Sequence, residues 1–130
     1  MNDNVVSVRY LVDNVAESLT FYTTHLGFKE LTNFAPAFAD VARGNLRLLL
    51  SGPLSSAGRA LPDGRRPEAG GWNRIHLIVD DIAAEVERLT SEGVTFRSGI
   101  VIGPGGSQIL LDDPSGNPIE LFQPAAQPTG

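Results

Sequence analysis

Apolar and polar residues follow one plan twice along this chain. Ser7-Val8-Arg9-Tyr10-Leu11-Val12 and Arg74-Ile75-His76-Leu77-Ile78-Val79 are short runs rich in β-branched and apolar residues, and both read as strands. Each run stops at a polar pair, Asp13-Asn14 or Asp80-Asp81. These pairs supply N-cap residues, because a side-chain oxygen of Asn14 or Asp81 can accept the unpaired amides of a first helical turn. Helical spacing follows in both places: Val15, Leu19, Tyr22 and Leu26, then Ile82, Val86 and Leu89, recur at intervals of three and four. Gly27 and Gly93 suit left-handed helix ends.

Three further strand-like runs complete each half. They are residues 28–31, 37–41 and 46–50 in the first, and residues 94–97, 108–111 and 119–122 in the second. Turn chemistry precedes both closing strands, as Gly44-Asn45 and as Asp113-Pro114-Ser115-Gly116-Asn117. Each half therefore reads β-α-β-β-β, and neither copy is expected to bury its sheet face alone. The working surface is expected in a cleft that the two copies share. The fold class is α+β, and one domain is expected over residues 1–130. Within it module one spans 5–52, a connecting loop 53–71, module two 72–124 and a frayed tail 125–130. The loop is rich in Gly, Pro, Ser and Arg and longer than about 12–15 residues, the mark of a functional loop or a disordered linker.

Composition narrows the chemistry. A 130-residue chain is long enough to bury a core without staples, and the absence of cysteine removes disulfides, thiolate nucleophiles and Cys-ligated metals. A net charge of −5 argues against nonspecific nucleic-acid binding. No apolar run approaches the roughly 20 residues of a membrane span. Met1-Asn2-Asp3-Asn4 has neither the basic start nor the apolar stretch of a signal peptide, so a cytoplasmic location is expected. Arginines gather locally as Arg59, Arg65, Arg66 and Arg74.

The chain resembles the vicinal oxygen chelate superfamily, which includes glyoxalase I, bleomycin-resistance and fosfomycin-resistance proteins and extradiol dioxygenases. The resemblance runs over roughly residues 5–124. It is carried by Asn14-x-x-x-Ser18-x-x-Phe21-Tyr22-x-x-x-Leu26-Gly27-Phe28, by His76-Leu77-Ile78-Val79-Asp80-Asp81, and by Asp113-Pro114-Ser115-Gly116-Asn117-Pro118-Ile119-Glu120-Leu121. It implies two tandem βαβββ modules that form an eight-stranded, cup-shaped mixed sheet with flanking helices. It also implies a homodimer with the cleft near the dimer interface. In the metal enzymes of the family, His, Gln or Glu side chains on the first and last strands of each half hold a divalent ion. Carried onto this chain, those positions fall on Ser7, Leu48, Arg74 and Glu120. Only Glu120 is a ligand type, since an arginine repels a cation and leucine has no donor. A shift by two residues reaches His76, but in the first half it reaches Arg9.

The expected site is therefore metal-free and cofactor-free, with no catalytic residue assigned. Strand side chains alternate, so positions two apart share a face. This gives a binding set of Ser7, Arg9, Phe38, Leu48, Leu50, Trp72, Arg74, His76, Gln108 and Glu120, with an Arg74–Glu120 pair in place of the metal. The expected partner is a hydrophobic or aromatic small molecule, an antibiotic or natural product that the protein sequesters, with neither nucleic acid nor membrane involved. Two readings compete. One is a glyoxalase-like lyase, isomerase or dioxygenase, or a metal-free variant using His76 or Glu120 as base. The other is an accessory module whose cleft is vestigial. His25 at a helix end is read as structural, and Gly103-Pro104-Gly105-Gly106 as a turn or rim loop rather than a phosphate loop.

Overall fold

A computed structural model describes residues 4–126. The expected tail lies largely beyond them, residues 127–130 falling outside the described part. The chain divides into two units, one reaching to Gly70 and including Pro114–Asn117, the other comprising Gly71–Asp113 and the chain from Pro118.

The first unit opens with strand β1 (Val6–Leu11) and helix α1 (Val15–His25), followed by β2 (Lys29–Phe34), β3 (Phe38–Arg43) and β4 (Leu46–Ser51). These strands form a sheet in the order β1-β4-β3-β2, with β1 parallel to β4 and the other pairs antiparallel. The cap is the expected one: Asn14 Oδ1 accepts from the Glu17 amide at 3.0 Å. Gly27 ends the helix with φ of 72°, a conformation in which a side chain would be strained. Val15, Leu19 and Tyr22 on α1 are buried, as are Val41 on β3 and Leu48 and Leu50 on β4.

The second unit repeats this order. Strand β5 (Ile75–Ile78) leads into α2 (Ile82–Ser91), capped by Asp81 through the Ala84 amide at 3.1 Å. Then come β6 (Thr95–Phe96), β7 (Val101–Gly103), β8 (Gly106–Asp112) and β9 (Pro118–Pro124). The sheet runs β5-β9-β8-β6, with β5 parallel to β9 and β7 added to β8. The two units thus hold a four-stranded and a five-stranded sheet. The extra strand is β7, which no expected run covered; it forms a hairpin with β8, and Gly103–Gly106 is the turn between them. Ile75, Leu77, Ile82, Leu89, Ile109, Leu111, Ile119 and Leu121 form this unit's core.

The connecting loop carries local structure of its own. A single 3-10 turn, Ser56–Gly58, is capped by Ser55, whose Oγ accepts from the Gly58 amide at 3.1 Å and donates to the Gly52 carbonyl at 2.7 Å. Gly52 and Gly58 allow the close approach, since a Cβ on Gly58 would strike the Gly52 carbonyl. In the same unit Asn117 acts as a buried bracket. Its Nδ2 donates to the Leu11 carbonyl at 2.8 Å and its Oδ1 accepts from the Gly70 amide at 2.9 Å.

Strand parity corrects two expected site residues. Leu48 and Leu50 pair with Val41 and Ala39, and all four side chains are 0% exposed on the face that α1 covers. They are core, not pocket wall. The slip came from aligning Gly44-Asn45 with Gly116-Asn117. In the observed register Val8 pairs with Leu48 as Ile75 pairs with Ile119, so the counterpart of Glu120 is Leu49. Leu48→Ala is accordingly expected to cost about 2–5 kcal/mol in urea unfolding, whereas Leu49→Ala should cost roughly 1 kcal/mol or less. Equal losses at the two positions would contradict the assigned parity.

Candidate functional site

In each unit the sheet face away from its helix carries the polar chemistry. On the first sheet the rows across the strands are Ser7–Arg47–Ala42, Arg9–Leu49–Asp40–Thr32 and Leu11–Ser51–Phe38. Of the expected residues, this face gathers Ser7, Arg9 and Phe38. Arg9 Nη1 donates to Ser51 Oγ at 2.8 Å. Asp40, which sequence reasoning did not single out, is 1% exposed and receives Arg47 through Nε and Nη2, both at 2.6 Å from Oδ2. Its Oδ1 has no hydrogen-bond partner among the described residues. Under the connecting loop lies a cavity of about 230 Å³, bordered by Leu11, Ser51, Gly58, Arg66 and Glu68.

The second sheet brings together the other expected residues. Its rows are His76–Glu120–Leu110 and Ile78–Phe122–Gln108. Arg74 precedes β5 and shares the parity of His76. Glu120 is 7% exposed, and a carboxylate so buried must be compensated. Arg74 does this with a fork: Nε at 3.0 Å and Nη2 at 2.8 Å both donate to Oε1. The expected Arg74–Glu120 pair is therefore formed. His76, which the register sets directly opposite Glu120, brings Nε2 to 3.3 Å from Oε2. Its imidazole leans on Phe122 with ring centroids 4.8 Å apart, and its side chain stays 46% exposed. Gln108 is half-buried on the same face.

Trp72 stands at the edge of this group. Arg74 Nη1 donates to the Trp72 carbonyl at 3.3 Å, and the indole is 69% exposed. The guanidinium of Arg97 lies over the ring at 4.8 Å from its centroid while donating to Asp112 Oδ1 at 2.6 Å. Arg97 and Asp112 went unmarked in the sequence reading. Nothing in the sequence brings Arg97 close to Trp72 except the alternation that puts Asp112 on the polar face of its strand.

The donors here do not suit a divalent ion. Both Glu120 oxygens already face cationic or hydrogen-bonding groups, and a guanidinium occupies the space in which an ion would have to sit. Among the described residues no three His, Asp or Glu side chains cluster in a way that could hold a metal.

A sheet-and-helix module used twice, with a polar face on each sheet, is the architecture of a superfamily, and the comparisons agree. The model of the Glyoxalase/Bleomycin resistance protein/Dioxygenase superfamily matches residues 4–121, and the chain belongs to that family. No curated protein matches it. A superfamily member from Sphaerobacter thermophilus DSM 20745 is 30% identical, with 92% of this chain and 95% of that one covered at a TM-score of 0.73. TnmS3, an antibiotic-binding protein from Streptomyces sp. CB03234, is 27% identical over 93% of this chain and 95% of its own, with a TM-score of 0.72. A lactoylglutathione lyase from Agrobacterium tumefaciens shares the fold at 20% identity and a TM-score of 0.70, with 94% of both chains covered.

Removing one partner of the buried pair should expose its cost. Arg74→Met leaves Glu120 uncompensated and is expected to lower stability by about 3 kcal/mol in urea unfolding. Glu120→Leu should cost less, because the freed Arg74 is already 29% exposed and can turn to water. The double variant should recover most of the loss, giving a coupling of about 1–3 kcal/mol. Simple additivity would mean that the pair contributes nothing as a pair.

Proposed function

We propose that this protein binds and sequesters a planar, largely apolar small molecule, of the antibiotic or natural-product type, on the open face of its second sheet. The observation that carries the reading is the charge balance of that face. Arg74 is matched by Glu120 and Arg97 by Asp112, so two guanidiniums are present without a net positive field. An uncharged ligand fits such a surface best, because a charged one would be desolvated without a free counter-charge. Phe122, Leu110 and Trp72 offer apolar or aromatic area. Gln108 and the unused N–H groups of Arg74 offer donors to carbonyl or hydroxyl oxygens. The antibiotic-binding relative at 27% identity supports this direction, whereas the lyase at 20% identity speaks for the fold alone. A cytoplasmic homodimer belongs to the same proposal.

A second reading, an enzyme using His76 as base, draws on the geometry of Glu120 beside Nε2. A carboxylate that orients one ring nitrogen leaves the other to exchange a proton with a bound molecule. It stands second because the relative named for a reaction shares only the fold at 20% identity, whereas the antibiotic-binding relative is 27% identical.

Three planar probes separate ligand classes: neutral flavone, anionic 2-naphthoate and cationic 2-naphthylmethylammonium. Flavone at about a hundredfold excess over its Kd should raise the melting temperature by on the order of 5–15 °C, with little dependence on salt. The two ions should raise it far less. A larger shift with either ion would overturn the neutral-ligand reading.

A further inference from the structure

Trp72 is the chain's only tryptophan, and its side chain is held in an unusual way. The indole is 69% exposed, so it gains little from burial, yet it is fastened from several sides. Gly71, in the left-handed region at φ of 91°, turns the chain into it. The Arg97 guanidinium covers one ring face, its centre 4.8 Å from the centroid. That guanidinium is itself pinned, donating through Nε to Asp112 at 2.6 Å and through Nη1 to the Gly71 carbonyl at 2.7 Å. The Arg97 amide donates to the Leu110 carbonyl at 2.9 Å, which anchors the clamp to the sheet. Arg97 therefore grips the ring and also the peptide that carries it.

A tryptophan needed only for packing would be buried, and one with no role would be left loose. Fixing an exposed indole on one side leaves the other ring face presented in a set orientation. It also removes in advance the rotamer freedom that a stacking ligand would otherwise have to freeze. Asp112 offsets the charge of the cation, so the clamp does not draw anions to the ring.

We propose that Arg97 is a positioning residue that holds Trp72 as a preset stacking platform for a planar ligand. The proposal rests on the sequestration reading above, and it extends that reading to residues outside the expected site. Arg97 is not itself required to touch the ligand. The specificity that follows is for flat ring systems over flexible apolar chains.

The test uses the full chain, with Trp72 as its own reporter. Arg97→Met keeps the length and removes the fork, whereas Arg97→Lys keeps the charge and loses the geometry. In the free protein, Arg97→Met should raise acrylamide quenching of Trp72 about twofold and shorten its anisotropy decay, as expected on losing one cation–π contact and two charge-assisted bonds. Flavone binding, followed by the same fluorescence, should weaken about fivefold, with Arg97→Lys in between. If Arg97→Met does not fold, Asp112→Asn, which removes the partner of the guanidinium and leaves Arg97 in place, should show the same loosening. Unchanged quenching and anisotropy would overturn the clamp whatever flavone does. A loosened Trp72 with unchanged flavone affinity would overturn the platform role. If the parent chain binds no flavone, the sequestration reading fails and the platform with it, while the free-protein fluorescence still decides whether Arg97 grips the ring.

Discussion

In each unit a single helix covers one face of one sheet, and that packing contact selects by parity the apolar strand residues that form the core. Val41, Leu48 and Leu50 are sealed on the α1 side of the first sheet. Burying a leucine or valine this fully contributes roughly 1.5–3 kcal/mol, so a register slip of one residue, which would turn the whole set outward, is strongly opposed. The opposite face is what remains, and the residues there need not serve the core. Arg9, Asp40 and Arg47 lie on that face of the first sheet, and His76, Glu120 and Gln108 on that of the second.

The two faces solve the same electrostatic problem differently. Arg9 and His76 occupy equivalent positions on the opening strands. The buried acid of the first sheet is Asp40 on β3, beyond Leu49, whereas that of the second is Glu120 on β9, directly beside His76. Each acid takes an arginine, Arg47 or Arg74. A duplicated backbone thus carries charge pairs placed on different strands. Such a divergence suits a scaffold whose polar positions are free to be reassigned while its apolar ones are not.

How much of this was legible follows the same division. Caps at Asn14 and Asp81, helix ends at Gly27 and Gly93, and the order of elements in both halves apart from β7 were readable because each rests on local chemistry. The Arg74–Glu120 pair was also readable, since two opposite charges of matching parity on neighbouring strands in a cleft have few other ways to be satisfied. Leu48 and Leu50 were misplaced because Gly44-Asn45 and Gly116-Asn117 look alike, yet Asn117 lies three residues before Glu120 whereas Asn45 lies four before its counterpart Leu49. Only hydrogen-bond register resolves that difference, and one residue reverses a strand's faces. Arg97 was missed for another reason. Its partners, the Gly71 carbonyl and the ring of Trp72, come from a loop whose path no periodicity encodes.

The buried glutamate links these observations to function. A carboxylate at 7% exposure is costly, and well-packed apolar residues often serve stability as well as or better than a buried ion pair. Glu120 and Arg74 together are thus a poor stabilising choice, and their value lies in what they leave available. Glu120 fixes the guanidinium plane of Arg74, and Arg74 in turn holds the Trp72 carbonyl. Arg97 holds the Gly71 carbonyl one peptide earlier, and also the ring itself. Two arginines, each neutralised by its own acid, thereby set the backbone and side chain of one exposed aromatic residue. Cations in that role orient an apolar surface without charging it, which is what the proposed binding of a neutral planar molecule would require.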